Sequence, residues 1–533
     1  MPVLRERFSA LEVVLVALVV AGASLTYASF SLSAPWRFNS PDEAANAYFS
    51  ARVAQGLPLP SPQPSLPSEV QSLVHPRSTT VVGGSLVPSS FLGLPLLTGF
   101  VGRAFGSSTL PFVTPLLAAL GLTCFYLLVR ELFGRRAAAL ALVLLSLTPS
   151  YWYYHARSFY HNALFFDSLI VALYTGLKAL RSGHKGFYLV SGLAWGMAIA
   201  FRSSEVFWIT AAAVVWVVTA GYRLSFPGLA WFVLGALAGF SPVLITNYAI
   251  YGQPFSIGYQ ADLALPLGEF KTSSSLFLQL VLPFGLHPRT ILSTASRYLI
   301  NLTWWWAALA VAGSALVCAR WRVFTREQRG WLTASAVVAG WLLALYGSWS
   351  FHDNPDPRAV TLGTSYMRYF LPLIALALVP AALFLEQLLS LRWWRTLVPV
   401  VVLAYAALSA NLVLFNPSEG LRQVGDNVVR FEAVGSQVQL LTEASSVIVT
   451  ELTDKFFWPE RSVMQNSARE VTLPAVATLL EHKVPVYSFH PTWRPQDLAT
   501  VNQAQLRPYH LALTPVAYGF SDHTLYRFSL TSP

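Results

Sequence analysis

The chain runs to 533 residues, of which 54% are apolar and 11% charged, with a formal net charge of +10. Mean hydropathy is +0.51, and apolar runs of roughly 20 residues recur, each enough for a helix to cross ~30 Å of hydrocarbon. This defines an all-α polytopic membrane protein and excludes a membrane β-barrel, whose strands would alternate over ~10 residues. It also excludes a nucleic-acid partner, because the basic residues cluster in short loops between spans, as membrane orientation requires.

In chain order, Arg5 and Arg7 precede an apolar run from Leu11 to Phe30. That run is too long for a signal-peptide core and has no convincing cleavage site, so it reads as a retained first span. Spans are expected near 11–33, 109–130, 137–150, 162–180, 187–202, 205–222, 228–250, 298–320, 330–350, 368–389 and 396–415. Cys124 and Cys318 both fall inside such runs and read as packed thiols. The stretch 86–105 is apolar but carries Pro88, Pro95 and several glycines.

Loop charges set the sidedness. Arg130/Arg135/Arg136, Lys178/Arg181/Lys185, Arg223, Arg320/Arg322/Arg326/Arg329 and Arg392/Arg395 belong on the cytoplasmic side. With a cytoplasmic N-terminus, 86–105 is then re-entrant or juxtamembrane, and the count is about 11 transmembrane helices. The outer face collects loops 34–108, 151–161, 252–297 and 351–367, the Arg202–Glu205 turn, and the tail after about 416. Those loops are long, polar and proline-rich, so the chemistry is expected there.

The last stretch is more polar. Ser446–Thr450 and Val484–Ser488 read as strands and Val471–Glu481 as a helix, predicting a small extracytoplasmic α/β domain over 416–533 behind a transmembrane domain over 1–415. It carries no glycine-rich phosphate loop and no metal motif, which leaves a structural or acceptor-binding role.

Just past the first span stand Asp42 and Glu43, after Asn39-Ser40-Pro41 and before an alanine-rich segment with one apolar face. This is a good helix start, and dipole complementation alone would stabilise it by under ~1 kcal/mol. In the functional reading, a carboxylate takes a proton from an acceptor nucleophile, or the pair holds a metal or sugar hydroxyls.

A span followed by an outward Asp-Glu and a short amphipathic helix resembles the GT-C membrane glycosyltransferases, that is, the protein O-mannosyltransferases and aminoarabinose transferases. Further matches follow in order over about 1–415. Glu131–Arg136 is similar to their basic turn, and Thr148-Pro149 through Arg157-Ser158 to their second outer loop. Ser191–Arg202 is like their glycine-rich span with a basic end, and Tyr366-Met-Arg368-Tyr369-Phe-Leu-Pro372 like the start of a late span. One departure is clear: many relatives carry a second acid after the arginine matching Arg157, where His161-Asn162 stands here, with Asp167 deeper in the span. A two-carboxylate metal site is therefore in doubt.

The resemblance implies a GT-C fold and transfer of a hexosyl or pentosyl unit from a polyprenyl-phosphate donor to an extracytoplasmic lipid, polysaccharide or protein, in the cell membrane. Asp42, with Glu43, is the expected catalytic carboxylate. Arg157, Arg202, Arg297, Arg358 and Arg368 are candidates for the leaving phosphate, because a guanidinium fork matches its oxygens. His75, His161, His352, Tyr366 and Asp167 are candidates for substrate. A divalent cation (Mg or Mn) is open. Blander readings are an ion pair for Arg202–Glu205, snorkelling for Arg368, and a hydrogen-bonded core carboxylate for Asp167. A flippase of lipid-linked sugars, or a glycan polymerase or ligase of another fold, remain alternatives.

Overall fold

The computed structural model describes residues 9–33, 36–256, 258, 281–351, 356, 358–466 and 468–531. The chain divides into two units, each assembled from segments distant in sequence. One comprises Met1–Leu32, Pro111–Pro242 and Glu269–Gln423; the other comprises Ser33–Leu110, Val243–Gly268 and Val424–Pro533.

Apolar helices dominate the first unit, and all eleven expected spans fall on helices. Among the described residues of the whole chain, eight helices are long and apolar enough to cross a bilayer, or up to ten if each of two bent pairs is one span. Lys185–Phe201 is a further apolar helix of 17 residues. The chain is a multi-pass membrane protein.

Two spans depart from the straight rods expected. Arg135–Leu147 continues through a 54° bend into Pro149–Ala156, because Thr148, preceding a proline, is extended (φ −63°, ψ 127°). The span expected at 298–320 is broken: Pro288–Asn301 and Trp304–Ala319 meet at 103°. Cys124 is buried as expected, whereas Cys318 is exposed on the protein surface.

Close helix packing in this unit rests on paired small residues. Gly192 and Gly196 face Gly235 and Gly239 of the helix Phe226–Tyr251. A Cβ at Gly196 would stand 2.1 Å from the Ala236 carbonyl oxygen, and one at Gly235 would stand 2.2 Å from that of Leu189. Each helix thus presents a small-x-x-x-small stripe that brings the backbones together. Gly196→Leu is expected to destabilise the protein by about 1–3 kcal/mol or more, read as a lowered thermal midpoint in detergent.

Charged side chains tie other helix ends together. Arg130 pairs with Glu12 at 2.7 Å, and Arg181 pairs with Glu131 at 2.6 Å and Glu327 at 2.5 Å. These positions lie in or beside loops whose basic charge marked them in the sequence.

In the second unit, Pro41–Ala54 and Gly93–Phe105 pack closely, since a Cβ at Gly99 would sit 2.4 Å from Val53 Cβ. Gly93–Phe105 has 13 residues, about 20 Å of helix, too short to cross the hydrocarbon. Between these helices, β1 (Ser61–Pro62), β2 (Thr79–Val82) and β3 (Ser85–Pro88) form an antiparallel sheet in the order β1-β3-β2.

The tail forms the expected α/β arrangement. β4 (Val447–Thr450), β5 (Ser462–Gln465), β6 (Val486–Pro491), β7 (Leu511–Phe520) and β8 (His523–Leu530) lie in the order β5-β4-β6-β8-β7. β4 runs parallel to β5 and β6, and β8 antiparallel to β6 and β7. The helix Arg469–Glu481 contributes Leu473, Val476 and Leu479 to its core.

This unit joins what the sequence divides at 415/416. Leu66, Val70 and Val74 of the early loop lie in the same apolar core as Val447, Leu479 and Tyr526. Arg77 pairs with buried Asp454 at 2.6 Å, and Arg37 with Glu432 at 2.5 Å and Glu460 at 2.8 Å. The segment 33–110 therefore groups with the tail, because apolar burial and ion pairs link them.

Candidate functional site

The acidic pair begins the helix Pro41–Ala54. Ser40 is extended (φ −110°, ψ 144°), its side chain accepts from Asp42 N, and Pro41 fills a position where its missing N–H costs nothing. Glu43 is buried, and its Oε2 accepts from Ser40 N at 3.0 Å, closing a capping box. The two acids thus differ: Glu43 fastens the helix start, while Asp42 Oδ1 accepts a hydrogen bond from Ser78 Oγ at 2.5 Å.

Ser78 is at φ +61°, in the left-handed region. It follows Arg77, whose N–H donates to Asp454 Oδ2 at 2.9 Å. Asp454 thus anchors the turn that presents Ser78 to Asp42. Neither Ser78 nor Asp454 carried a motif in the sequence; only their placement reveals them. His75 lies in this turn, half-buried, with Nδ1 3.0 Å from the Pro76 carbonyl.

In the other unit, three of the arginines marked in the sequence come together around two tyrosines. Arg157 caps the short helix Pro149–Ala156; its Nη1 donates to Tyr153 Oη at 2.7 Å, and its guanidinium lies 5.1 Å from the Tyr160 ring centre. Arg368 approaches the same Tyr160 ring at 5.2 Å and the Tyr369 ring at 5.4 Å. Arg202 lies 4.8 Å from the Tyr369 ring. Cation–π contact of this kind contributes about 0.5–2 kcal/mol per pair.

Arg202 is also held by Glu205, at 2.8 Å through Nε and 2.6 Å through Nη2, and by Tyr346 Oη at 3.1 Å. Glu205 accepts in turn from Trp208 and Tyr346. Arg202 and Glu205 are both buried, so this pair is locked in place with its charge balanced. The bland ion-pair reading describes its geometry. Asn162 stitches the cluster, accepting from Arg202 at 3.3 Å and donating to the Arg368 carbonyl at 3.3 Å. Tyr160, Asn162, Tyr346 and Tyr369 are not among the candidates drawn from the sequence, since only the fold brings them beside the arginines.

Asp167 lies apart from that cluster's contacts, inside the helix His161–Ser182. Tyr151 Oη donates to it at 2.9 Å and His155 Nε2 lies 2.9 Å from its other oxygen. Gly121 makes room for it, since a Cβ there would fall 2.1 Å from Asp167 Oδ1. This is the geometry of a hydrogen-bonded core carboxylate, and it braces the short helix that ends at Arg157.

The remaining candidates scatter. Tyr366 is buried, donates to the Trp349 carbonyl and accepts from Phe351 N at 3.1 Å. His161 is buried at the start of its helix. Arg297 is exposed in the π-helical turn Ala295–Asn301, and Arg358 is exposed with its N–H on Asp356. His352 lies outside the described residues. Among the described residues, no group of three or more His, Cys, Asp or Glu stands close enough to hold a metal ion.

The helical membrane body with its small C-terminal sheet has the GT-C fold. A family profile for dolichyl-phosphate-mannose-protein mannosyltransferase matches residues 95–246. ArnT from Cupriavidus metallidurans in its apo state superposes with a TM-score of 0.59 at 14% identity, over 96% of this chain and 97% of that one. The same protein bound to undecaprenyl phosphate gives 0.59 at 13% identity, over 98% and 100%. The Archaeoglobus fulgidus oligosaccharyltransferase gives 0.52 at 14%, over 89% and 69%. No curated protein matches by sequence.

Proposed function

We propose that this chain moves a sugar from a polyprenyl-phosphate-linked donor to an acceptor hydroxyl on the non-cytoplasmic side of the membrane. Asp42 accepts the proton of that hydroxyl as its oxygen bonds to the anomeric carbon. The bond from that carbon to the phosphate oxygen breaks, and the lipid phosphate leaves with the electron pair. Attack opposite the leaving group inverts the anomeric centre.

The observation that carries this reading is the gathering of Arg157, Arg202 and Arg368 around Tyr160 and Tyr369. Fixed cations gathered in this way stabilise charge developing on a leaving phosphate, and a guanidinium fork matches phosphate oxygens. The fold shared with ArnT, whose structure includes undecaprenyl phosphate, supports a lipid-phosphate donor.

The test is mass spectrometry of glycans and glycolipids from cells with and without the gene, paired with transfer assays on protein in proteoliposomes. Loss of one defined sugar, restored by transfer from its polyprenyl-phosphate form, supports the proposal. Unchanged glycans together with no transfer from any such donor reject it.

A further inference from the structure

The geometry points to a carbohydrate-binding groove on the C-terminal sheet, separate from the residues assigned to chemistry, that takes a neutral segment of a glycan chain. A hollow of ≈ 580 Å³ lies between the β6 exit and the strand β7, with Trp493, Arg494, Tyr518 and Tyr526 among its walls. Its size lies within the range of small-molecule sites.

The walls are built rather than incidental. Trp493 stacks on His490 at 3.9 Å between ring centres and leans on Tyr526 at 4.9 Å, while its backbone N–H donates to Tyr526 Oη at 3.0 Å. Tyr526 is buried in the sheet core, so the indole is fixed to rigid structure. β7, which adds Pro515 and Tyr518 to the lining, is the edge strand, and its pairing with β8 is irregular between Pro515 and Ala517 and again between Ala517 and Phe520. Bulges re-aim side chains, and Tyr518 falls in the second irregular stretch. It is 66% exposed.

Chemistry selects the occupant. Pyranose and furanose rings carry an apolar C–H face that packs on an aromatic ring and an equator of hydroxyls that need both donors and acceptors. Arg494, in the wall, is paired with Asp497 at 2.7 Å, which leaves guanidinium donors at the groove with their charge balanced by the neighbouring carboxylate. That balance suits a neutral polyhydroxylated chain and gives no attraction to a phosphate headgroup or an acidic peptide. If the chain is a glycosyltransferase, this groove holds a polysaccharide acceptor at a distance from its growing end; the binding itself does not depend on that reading.

The full-length protein in nanodiscs is titrated with linear hexasaccharides of glucose, mannose, galactose and arabinose, by calorimetry and saturation-transfer NMR. Saturable binding of at least one is expected, weakened tenfold or more by Tyr518→Ala and kept within threefold by Tyr518→Phe. Tyr518 is exposed, so its removal leaves the core intact; Trp493→Ala is the second variant, interpreted with its thermal midpoint. No saturable binding of any of the four, or equal binding by Tyr518→Ala, overturns the proposal. Quenching of the Tyr518 face by brominated lipids without saccharide binding assigns it to the bilayer and equally overturns it. Transfer to a monosaccharide acceptor is measured in parallel and is expected to be unchanged in Tyr518→Ala. Loss of transfer in every form with saccharide binding intact would reject the proposed function and leave the groove standing.

Discussion

Asp42→Asn is expected to lower sugar transfer by about 10²–10⁴-fold while leaving expression, folding and lipid binding intact. The side chains match in shape, and Asn Oδ1 can still accept the hydrogen bond that Ser78 gives Asp42. What disappears is the capacity to take a proton. Glu43→Gln is the matched control. A glutamine three residues after a serine cap still closes a capping box, so this variant is expected to keep both stability and activity. Ser78→Ala removes the group that orients Asp42 and is expected to lower kcat several-fold with little change in KM. Initial rates in proteoliposomes, with thermal midpoints for folding, check all three. If Glu43→Gln is the inactive variant and Asp42→Asn is not, the assignment of the two carboxylates is reversed.

The second large effect is at Arg368. Arg368→Ala is expected to reduce kcat/KM by about 10²–10³-fold, the loss seen when one fixed donor to a developing anion is removed. It should also weaken binding of undecaprenyl phosphate, measured directly by titration of purified protein. Arg368→Lys should recover only part of this. Lysine keeps the charge but loses the planar fork that grips two phosphate oxygens and lies against Tyr160 and Tyr369. Arg202 makes a useful contrast, since its Nε and Nη2 already bond Glu205. Arg202→Ala strands a buried carboxylate, which costs about 3–5 kcal/mol in stability, so its effect should show first in the thermal midpoint. Unaltered lipid-phosphate affinity in Arg368→Ala would remove this residue from the donor site.

The membrane body was legible because hydropathy is a strong signal over twenty residues. Every expected span falls on a helix, and 86–105 supplies a 13-residue helix rather than a crossing. The bends were less legible. Pro149 announced one of them, but the 103° turn between Asn301 and Trp304 has no proline to mark it. The site was half legible: basic residues at span ends stand out against 11% total charge. Their organisers do not, because Tyr160, Asn162 and Tyr369 act through positions that only folding brings together. Asp167 stood out as an intramembrane acid, whereas its partners Tyr151 and His155 sit one helix earlier. Ser78 was hidden for a different reason: its value comes from an unusual backbone angle fixed by Asp454, 376 positions later.

That last dependence bears on how the protein is made. The early loop is synthesised hundreds of residues before the strands that share its apolar core, so Leu66, Val70 and Val74 must wait through insertion of the later spans before they are covered. A ribosome halted after position 423 would release a chain able to insert its helices but lacking Asp454, without which the Arg77–Ser78 turn has no anchor. The serine that donates to the carboxylate at position 42 thus gains its anchored turn only after position 454 has been made.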